Sequence, residues 1–211
     1  MDAAADVVFF GTKLRETRIR EKDNGLAKGK SKVARDVIER AKQIQVLLMD
    51  VDGTITKGGV YLLSQPDGTA LEMKVFDAHD GQGISLARTA GIRTGFITGR
   101  ESSALRHRAR ELGVEFVFEK QPHKIAAYEE ILRKTGVPES AVAFLGDDLP
   151  DLTVMHRVGF AVAVADSARE VLDAAHYVCS AKGGEGAARE TVELILKSKG
   201  IWNQMIDKAR A

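Results

Sequence analysis

Apolar residues in this chain gather in short unbroken runs separated by stretches with helical spacing. Val46 to Met49, Thr94 to Ile97 and Val142 to Leu145 are such runs. A strand wet on one face alternates apolar and polar residues, whereas a strand covered on both faces stays apolar throughout. These runs predict buried strands at 46–50, 93–98 and 141–146, with further strands at 115–118, 160–164 and 177–179. Between them the spacing predicts helices near 83–90 and over 101–112, 123–135 and 151–157, and one from a Ser167 cap to Ala174. Upstream, Val33, Val37, Ile38, Ala41 and Ile44 share one helical face behind a Ser31 N-cap. Strand–helix alternation of this kind predicts an α/β fold, an open parallel sheet with helices on both faces.

One segment breaks the alternation. Residues 58–76 carry the turn tripeptide Pro66-Asp67-Gly68, flanked by Tyr61-Leu62-Leu63 and by an arm from Leu71 to Phe76. This predicts a β-hairpin projecting from the sheet. An uncovered apolar hairpin is an association hazard, so subunit packing is expected there. The chain therefore divides into a basic leader (1–31), an α/β domain (32–200) that includes the hairpin, and a C-terminal helix or tail (201–211).

Charge changes this picture little. The formal net charge is +1, which argues against nucleic acid as a partner. Residues 1–42 hold 11 Lys/Arg against 7 Asp/Glu, a local bias expected of a solvated leader. Cys179 is the single cysteine, so no intrachain disulfide can form, which suits a reducing cytoplasm. Its apolar neighbours mark it as a buried hydrophobe. No apolar stretch approaches the ~20 residues that span a bilayer, so no membrane partner is expected. The isolated histidines His107, His123, His156 and His176 lack metal-ligand spacing and are expected to be structural or solvated.

The candidate chemistry lies where the strands end. Asp50-Val51-Asp52-Gly53-Thr54 follows the first strand, Thr98-Gly99-Arg100 another, and Gly146-Asp147-Asp148-Leu149-Pro150-Asp151 a third. Ligands of open parallel sheets collect at the carboxyl ends of strands. Residues i and i+2 of a strand end point the same way, so Asp50 and Asp52 can face one ligand. Gly53 lets the backbone turn and bring its N–H to an anion. Adjacent carboxylates repel, and a hard cation such as Mg²⁺ relieves the repulsion through oxygen ligands; Asp147 can add a third. Thr98 and its neighbouring amides can bind phosphate oxygens, or Thr98 can simply cap the next helix. Lys124, near a helix start, can neutralise the same phosphate or lie solvated.

These four segments, in this order, resemble the haloacid dehalogenase superfamily over roughly residues 44–198. The resemblance implies a Rossmann-like, Mg²⁺-dependent phosphomonoesterase. Asp50 would be its nucleophile and Asp52 its acid and base. Gly53, Thr98, Gly99 and Lys124 would bind the phosphoryl group. Asp50, the Asp52 carbonyl and Asp147 would hold Mg²⁺, with Asp148 and Asp151 behind them. Only about forty residues separate Thr54 from Thr98, already filled by hairpin, helix and strand. No cap domain fits there, nor between Lys124 and Asp147. The chain is similar to a capless subgroup that forms homotetramers through its hairpins and acts on sugar-acid phosphates in lipopolysaccharide core synthesis. Lys74-Val75-Phe76, Asp80-Gly81-Gln82-Gly83-Ile84 and Gly183-Gly184-Glu185-Gly186 carry that likeness. Arg100 would clamp the substrate carboxylate, which favours an eight-carbon acid over the nine-carbon sialic type. Arg189 would reach a neighbouring subunit's site, or else pair with Glu185 or Glu193 in its own chain. Thr54 and His79 depart from the subgroup's usual residues. Two readings of other classes are a signalling receiver domain, whose accepting Asp ends a later strand, and a non-catalytic phospho-binding or oligomerisation module.

Overall fold

The computed structural model describes residues 33–210. The leader over 1–31 and its Ser31 cap lie outside the described residues. Helix α1 (Arg35–Gln43) leads into β1 (Val46–Met49), and the hairpin β2 (Tyr61–Ser64) and β3 (Ala70–Met73) follows. Next come α2 (Ala78–Thr89), β4 (Arg93–Ile97), α3 (Ser103–Leu112), β5 (Phe116–Phe118) and α4 (Ile125–Thr135). The chain continues through β6 (Val142–Gly146), α5 (Leu152–Met155), β7 (Phe160–Ala163), α6 (Arg169–Ala174), β8 (Tyr177–Val178), α7 (Ala187–Ser198) and α8 (Trp202–Arg210).

Six strands form one parallel sheet in the order β5-β4-β1-β6-β7-β8, with Leu47 of β1 opposite Thr94 of β4 and Ala143 of β6. The unbroken apolar runs are explained by covering on both sides. Leu47 and Met49 pack into the core beneath α1, α2, α3 and α7, while Val46 and Leu48 pack into the core beneath α4, α5 and α6. The chain leaves β1 for β4 and β5, then returns to β6 on the other side of β1. That reversal opens a crevice at the carboxyl ends of β1 and β6, where this class of sheet binds ligands.

Helix α2 starts well before the expected residue 83. Asp77 accepts hydrogen bonds from the N–H groups of His79 and Asp80, which nucleates a helix through Gly81 and Gly83. These glycines mark close packing and not a turn: a Cβ on Gly83 would lie 2.8 Å from the Arg189 Cα of α7. Buried Asp80 then accepts from the N–H groups of Gly186 (3.1 Å) and Arg189 (2.9 Å), which ties the start of α7 to α2. Ser167 caps no helix; its hydroxyl donates to the Val164 carbonyl (2.8 Å), and α6 begins after Ala168. Cys179 is buried, and burial pushes its thiol up to about 12, which keeps it protonated and inert. Among the described residues no helix is long and apolar enough to cross a membrane.

His176 joins the chain between α6 and β8 to β7. The Ala161 N–H donates to its Nδ1 (2.9 Å), so the ring serves as a neutral acceptor. Burial, with the Arg40 charge, lowers its pKa from the ordinary 6.5. An imidazole lowered in the folded state binds its proton more readily when unfolded, so its contribution is complete above 6.5 and fades as pH falls below it. Thermal melts between about pH 7 and pH 5 should show this loss in the unaltered chain and a shallower loss in His176→Asn, whose amide oxygen keeps the acceptor without titrating. Equal slopes would remove His176 from the account.

Candidate active site

The loop after β1 begins where the Asp50 N–H donates to the Leu145 carbonyl (2.9 Å) and the Val51 carbonyl accepts from Ile55 and Thr56 (3.0 Å each). Gly53 takes φ +98°, and a Cβ there would lie 2.0 Å from Asp147 Oδ2, so any side chain would displace the carboxylate across the crevice. The Gly183-Gly184 segment supports this loop from behind. Gly184 N–H donates to the Thr54 carbonyl (2.9 Å), and a Cβ on Gly183 would meet the Gly53 carbonyl oxygen at 1.6 Å.

Three carboxylates converge at the crevice. One oxygen each from Asp50, Asp147 and Asp151 lies within 4.8 Å of the others. Asp147 accepts from the Thr54 hydroxyl (2.8 Å). Asp151, nearly fully buried, accepts the N–H groups of Asp147 (2.9 Å) and Asp148 (3.1 Å) through Oδ2 and so folds the loop after β6. Lys124, at the start of α4, is 3% exposed, which removes the solvated reading of its side chain. Its ammonium donates to Asp50 and to Asp151 (2.5 Å). Burial raises the Asp50 carboxyl to about 8, with Asp151 and Asp147 adding to the rise and Lys124 opposing it. Burial likewise raises Asp147 to about 6, against the Thr54 hydroxyl. Lys124 is held above the ordinary lysine value: burial works against its charge, and Asp50 and Asp151 outweigh it.

A cleft of ≈ 150 Å³ opens on this cluster, lined among others by Asp52, Thr98, Gly99, Arg100, Lys124 and Asp148. The hydroxyl of buried Thr98 accepts from the Arg100 N–H (3.2 Å). Thr98 does not cap α3, because Ser102 does, accepting from the Leu105 N–H (3.2 Å). The Asp148 carboxylate accepts from the Leu149 N–H (2.8 Å) at the cleft mouth. Asp52 also lines the cleft, but its carboxylate stands outside the three-carboxylate cluster, ion-paired to Lys74 and 3.9 Å from Arg100 Nε.

A profile of haloacid dehalogenase-like hydrolases matches residues 116–190. The 3-deoxy-D-manno-octulosonate 8-phosphate phosphatase KdsC of Yersinia pestis is 43% identical over 164 residues, 78% of this chain and 86% of that protein. The chain belongs to the haloacid dehalogenase-like hydrolases. Within that family it is similar to the solved Yersinia pestis phosphatase, at 42% identity and TM-score 0.77, with 81% of this chain and 90% of that one covered. The Moraxella catarrhalis phosphatase, solved with magnesium ion, phosphate ion and KDO, is similar at 34% identity and TM-score 0.77, covering 82% of this chain and 98% of that one.

Haloacid dehalogenase-like phosphatases use Mg²⁺, and the residues present here fit it. Three clustered carboxyl groups, two of them with pKa raised by burial and by their acidic neighbours, offer hard oxygens whose charged form a divalent cation would favour. Asp151 belongs to this cluster as closely as Asp50 and Asp147 do, where the sequence set it one layer back. Arg189 is not brought to the cleft of its own chain. Its guanidinium pairs with Glu193 (2.7 Å) and lies over the Trp202 ring (5.4 Å), which matches the ion pair left open from the sequence. Sequence reasoning missed Glu72 and Lys74 as site residues. Their signal was the alternation Leu71-Glu72-Met73-Lys74-Val75, but alternation cannot say which face is buried.

Proposed function

We propose that this chain hydrolyses 3-deoxy-D-manno-octulosonate 8-phosphate to the free sugar acid and phosphate, in the cytoplasm, during synthesis of the lipopolysaccharide core. The observation that carries the reading is one cleft holding a nucleophile-competent Asp50, Asp52 two residues on, and the Arg100 guanidinium beside Asp52. An Asp50 oxygen attacks phosphorus and the bond from phosphorus to the sugar oxygen breaks, while Asp52 gives that oxygen its proton. Water then attacks the aspartyl phosphate, Asp52 takes the proton, and phosphate leaves with the Asp50 carboxylate restored. Dividing one difficult displacement in two is the advantage of a covalent route. The Thr98 hydroxyl, the Gly53 and Gly99 amides and the Lys124 ammonium hold the phosphoryl oxygens as charge develops on them.

Asp50, the Asp52 carbonyl and Asp147, with Asp151 and Asp148 around them, would hold Mg²⁺, which supplies positive charge against the transferring group. Arg100 clamps the sugar-acid carboxylate, since a guanidinium presents two parallel donors to it. The hairpin exposes Tyr61, Leu62, Leu63, Leu71, Met73 and Val75, an apolar surface suited to packing in a homotetramer. In that assembly Arg189 would exchange its pairing with Glu193 for a neighbouring copy's cleft.

Phosphate release with and without Mg²⁺ tests the reading, with the eight-carbon acid 8-phosphate beside its nine-carbon 9-phosphate analogue and simple sugar phosphates. The expected result is Mg²⁺-dependent turnover with kcat/KM at least about tenfold higher for the eight-carbon acid, a preference of roughly 1.4 kcal/mol. Preference for the nine-carbon acid would keep the chemistry and overturn the substrate.

A further inference from the structure

The hairpin strand β3 is inside out. Leu71, Met73 and Val75 are 58%, 58% and 60% exposed, whereas the side chain of Lys74 is 3% exposed and that of Glu72 15%. Side chains alternate across an extended chain, so over β3 and the two residues that follow it one face turns its apolar residues outward and the other turns an ion pair toward the cleft. A buried ammonium is costly unless carboxylates surround it. Lys74 has two: it donates to Asp52 Oδ1 and lies 3.4 Å from Glu72 Oε1. Glu72 also accepts from the Arg100 guanidinium (3.1 Å) and so bridges the two cations.

The two oxygens of Asp52 are thereby made different. Oδ1 is held by Lys74, while Oδ2 is buried, accepts no hydrogen bond and has Arg100 Nε at 3.9 Å. An unpartnered buried carboxylate oxygen is an unstable arrangement that a proton or a donor hydroxyl relieves. From this geometry we infer that Lys74 is a positioning residue for Asp52, pinning one carboxylate oxygen so that the other meets the leaving sugar oxygen. Rotation of a carboxylate about its χ angles would otherwise spread its oxygens over several positions, and proton transfer demands hydrogen-bond reach. The inference rests on the phosphatase reading and extends it: a hairpin whose outer face is apolar also completes the acid–base machinery through its inner face.

The test compares two substrates in the full-length chain with Mg²⁺. The sugar acid departs as an alkoxide and needs a proton, whereas 4-nitrophenolate departs from 4-nitrophenyl phosphate as a stable anion and does not. For both, kcat/KM reports the step that forms the aspartyl phosphate. Lys74→Met should lower kcat/KM on the sugar-acid phosphate by about 10²-fold, within the range of general acid help. On 4-nitrophenyl phosphate the change should stay within about threefold. Lys74→Arg keeps the charge with a different reach and should show a smaller loss, again confined to the sugar-acid phosphate. It decides the matter by itself if Lys74→Met does not fold. Equal losses on the two substrates, in whichever variant folds, would make Lys74 a structural residue and overturn the inference, as would no loss on either. An unaltered protein that hydrolyses neither substrate would instead bring down the phosphatase reading, and this inference with it.

Discussion

Asp50→Asn removes phosphate release, by roughly 10⁴-fold or more, and leaves the folded chain at least as stable as before. An amide oxygen is a poor nucleophile toward phosphorus, and no other carboxylate can replace Asp50 at its place on the loop. Asp52 is engaged by Lys74, Asp147 by Thr54, and Asp151 by Lys124 and two backbone N–H groups. The stability half of the expectation comes from burial. Asp50 is 7% exposed, and its carboxyl is raised to about 8 against an ordinary 3.8. An acid raised in the folded state costs stability above its unfolded value, and this cost shrinks as pH falls toward that value. Asparagine has the same shape and no charge, so it avoids that cost, and Lys124 keeps Asp151. Phosphate release and a thermal melt near neutral pH, without Mg²⁺, check both halves. Turnover above about a hundredth of the unaltered rate would sink the assignment of Asp50 as nucleophile.

Lys124→Met should harm both properties together. Methionine matches the length of the buried stem, but it leaves Asp50 and Asp151 facing each other with no cation between them. Breaking a buried ion pair by removing one partner costs about 3–5 kcal/mol. For a domain of this size that corresponds to a fall of roughly 10 °C in Tm. Activity should drop by about 10²–10³-fold, the usual effect of removing one donor to a developing anion. Mg²⁺ distinguishes this account from simple cavity formation. A divalent cation relieves the same carboxylate repulsion, so adding it should recover part of the lost Tm in Lys124→Met. A melt that Mg²⁺ does not move would show that the damage lies in packing and not in charge.

Much of the site could be read along the chain because its parts are local. Asp50, Asp52 and Gly53 share one strand end, and Gly146, Asp147 and Asp151 share another, so each group is contiguous along the chain. Their meeting follows from the parallel sheet, which brings the carboxyl ends of β1, β4 and β6 to one edge. The errors arise where distant segments decide. Residues 78–82 fell outside the helix expected near 83–90, yet the Asp77 cap and the close approach of α7 make them helical. Thr98 could serve as a phosphate ligand or as the cap of the next helix, and the backbone path gives the cap to Ser102, which the sequence did not single out.

By itself the sequence determined the α/β class, the doubly covered strands and the placing of carboxylates and hydroxyl at strand ends and of the ammonium at a helix start. These follow from periodicity and turn chemistry, which act over a few residues. The tertiary structure alone decided that Asp151 joins Asp50 and Asp147, that Lys124 is buried between two of them, and that Arg189 is paired in its own chain. It alone decided the orientation of β3, where ions face inward and apolar groups outward. Alternation defines two faces of a strand, but which one is covered depends on what lies across from it, and here that is the charge of Asp52 and Arg100.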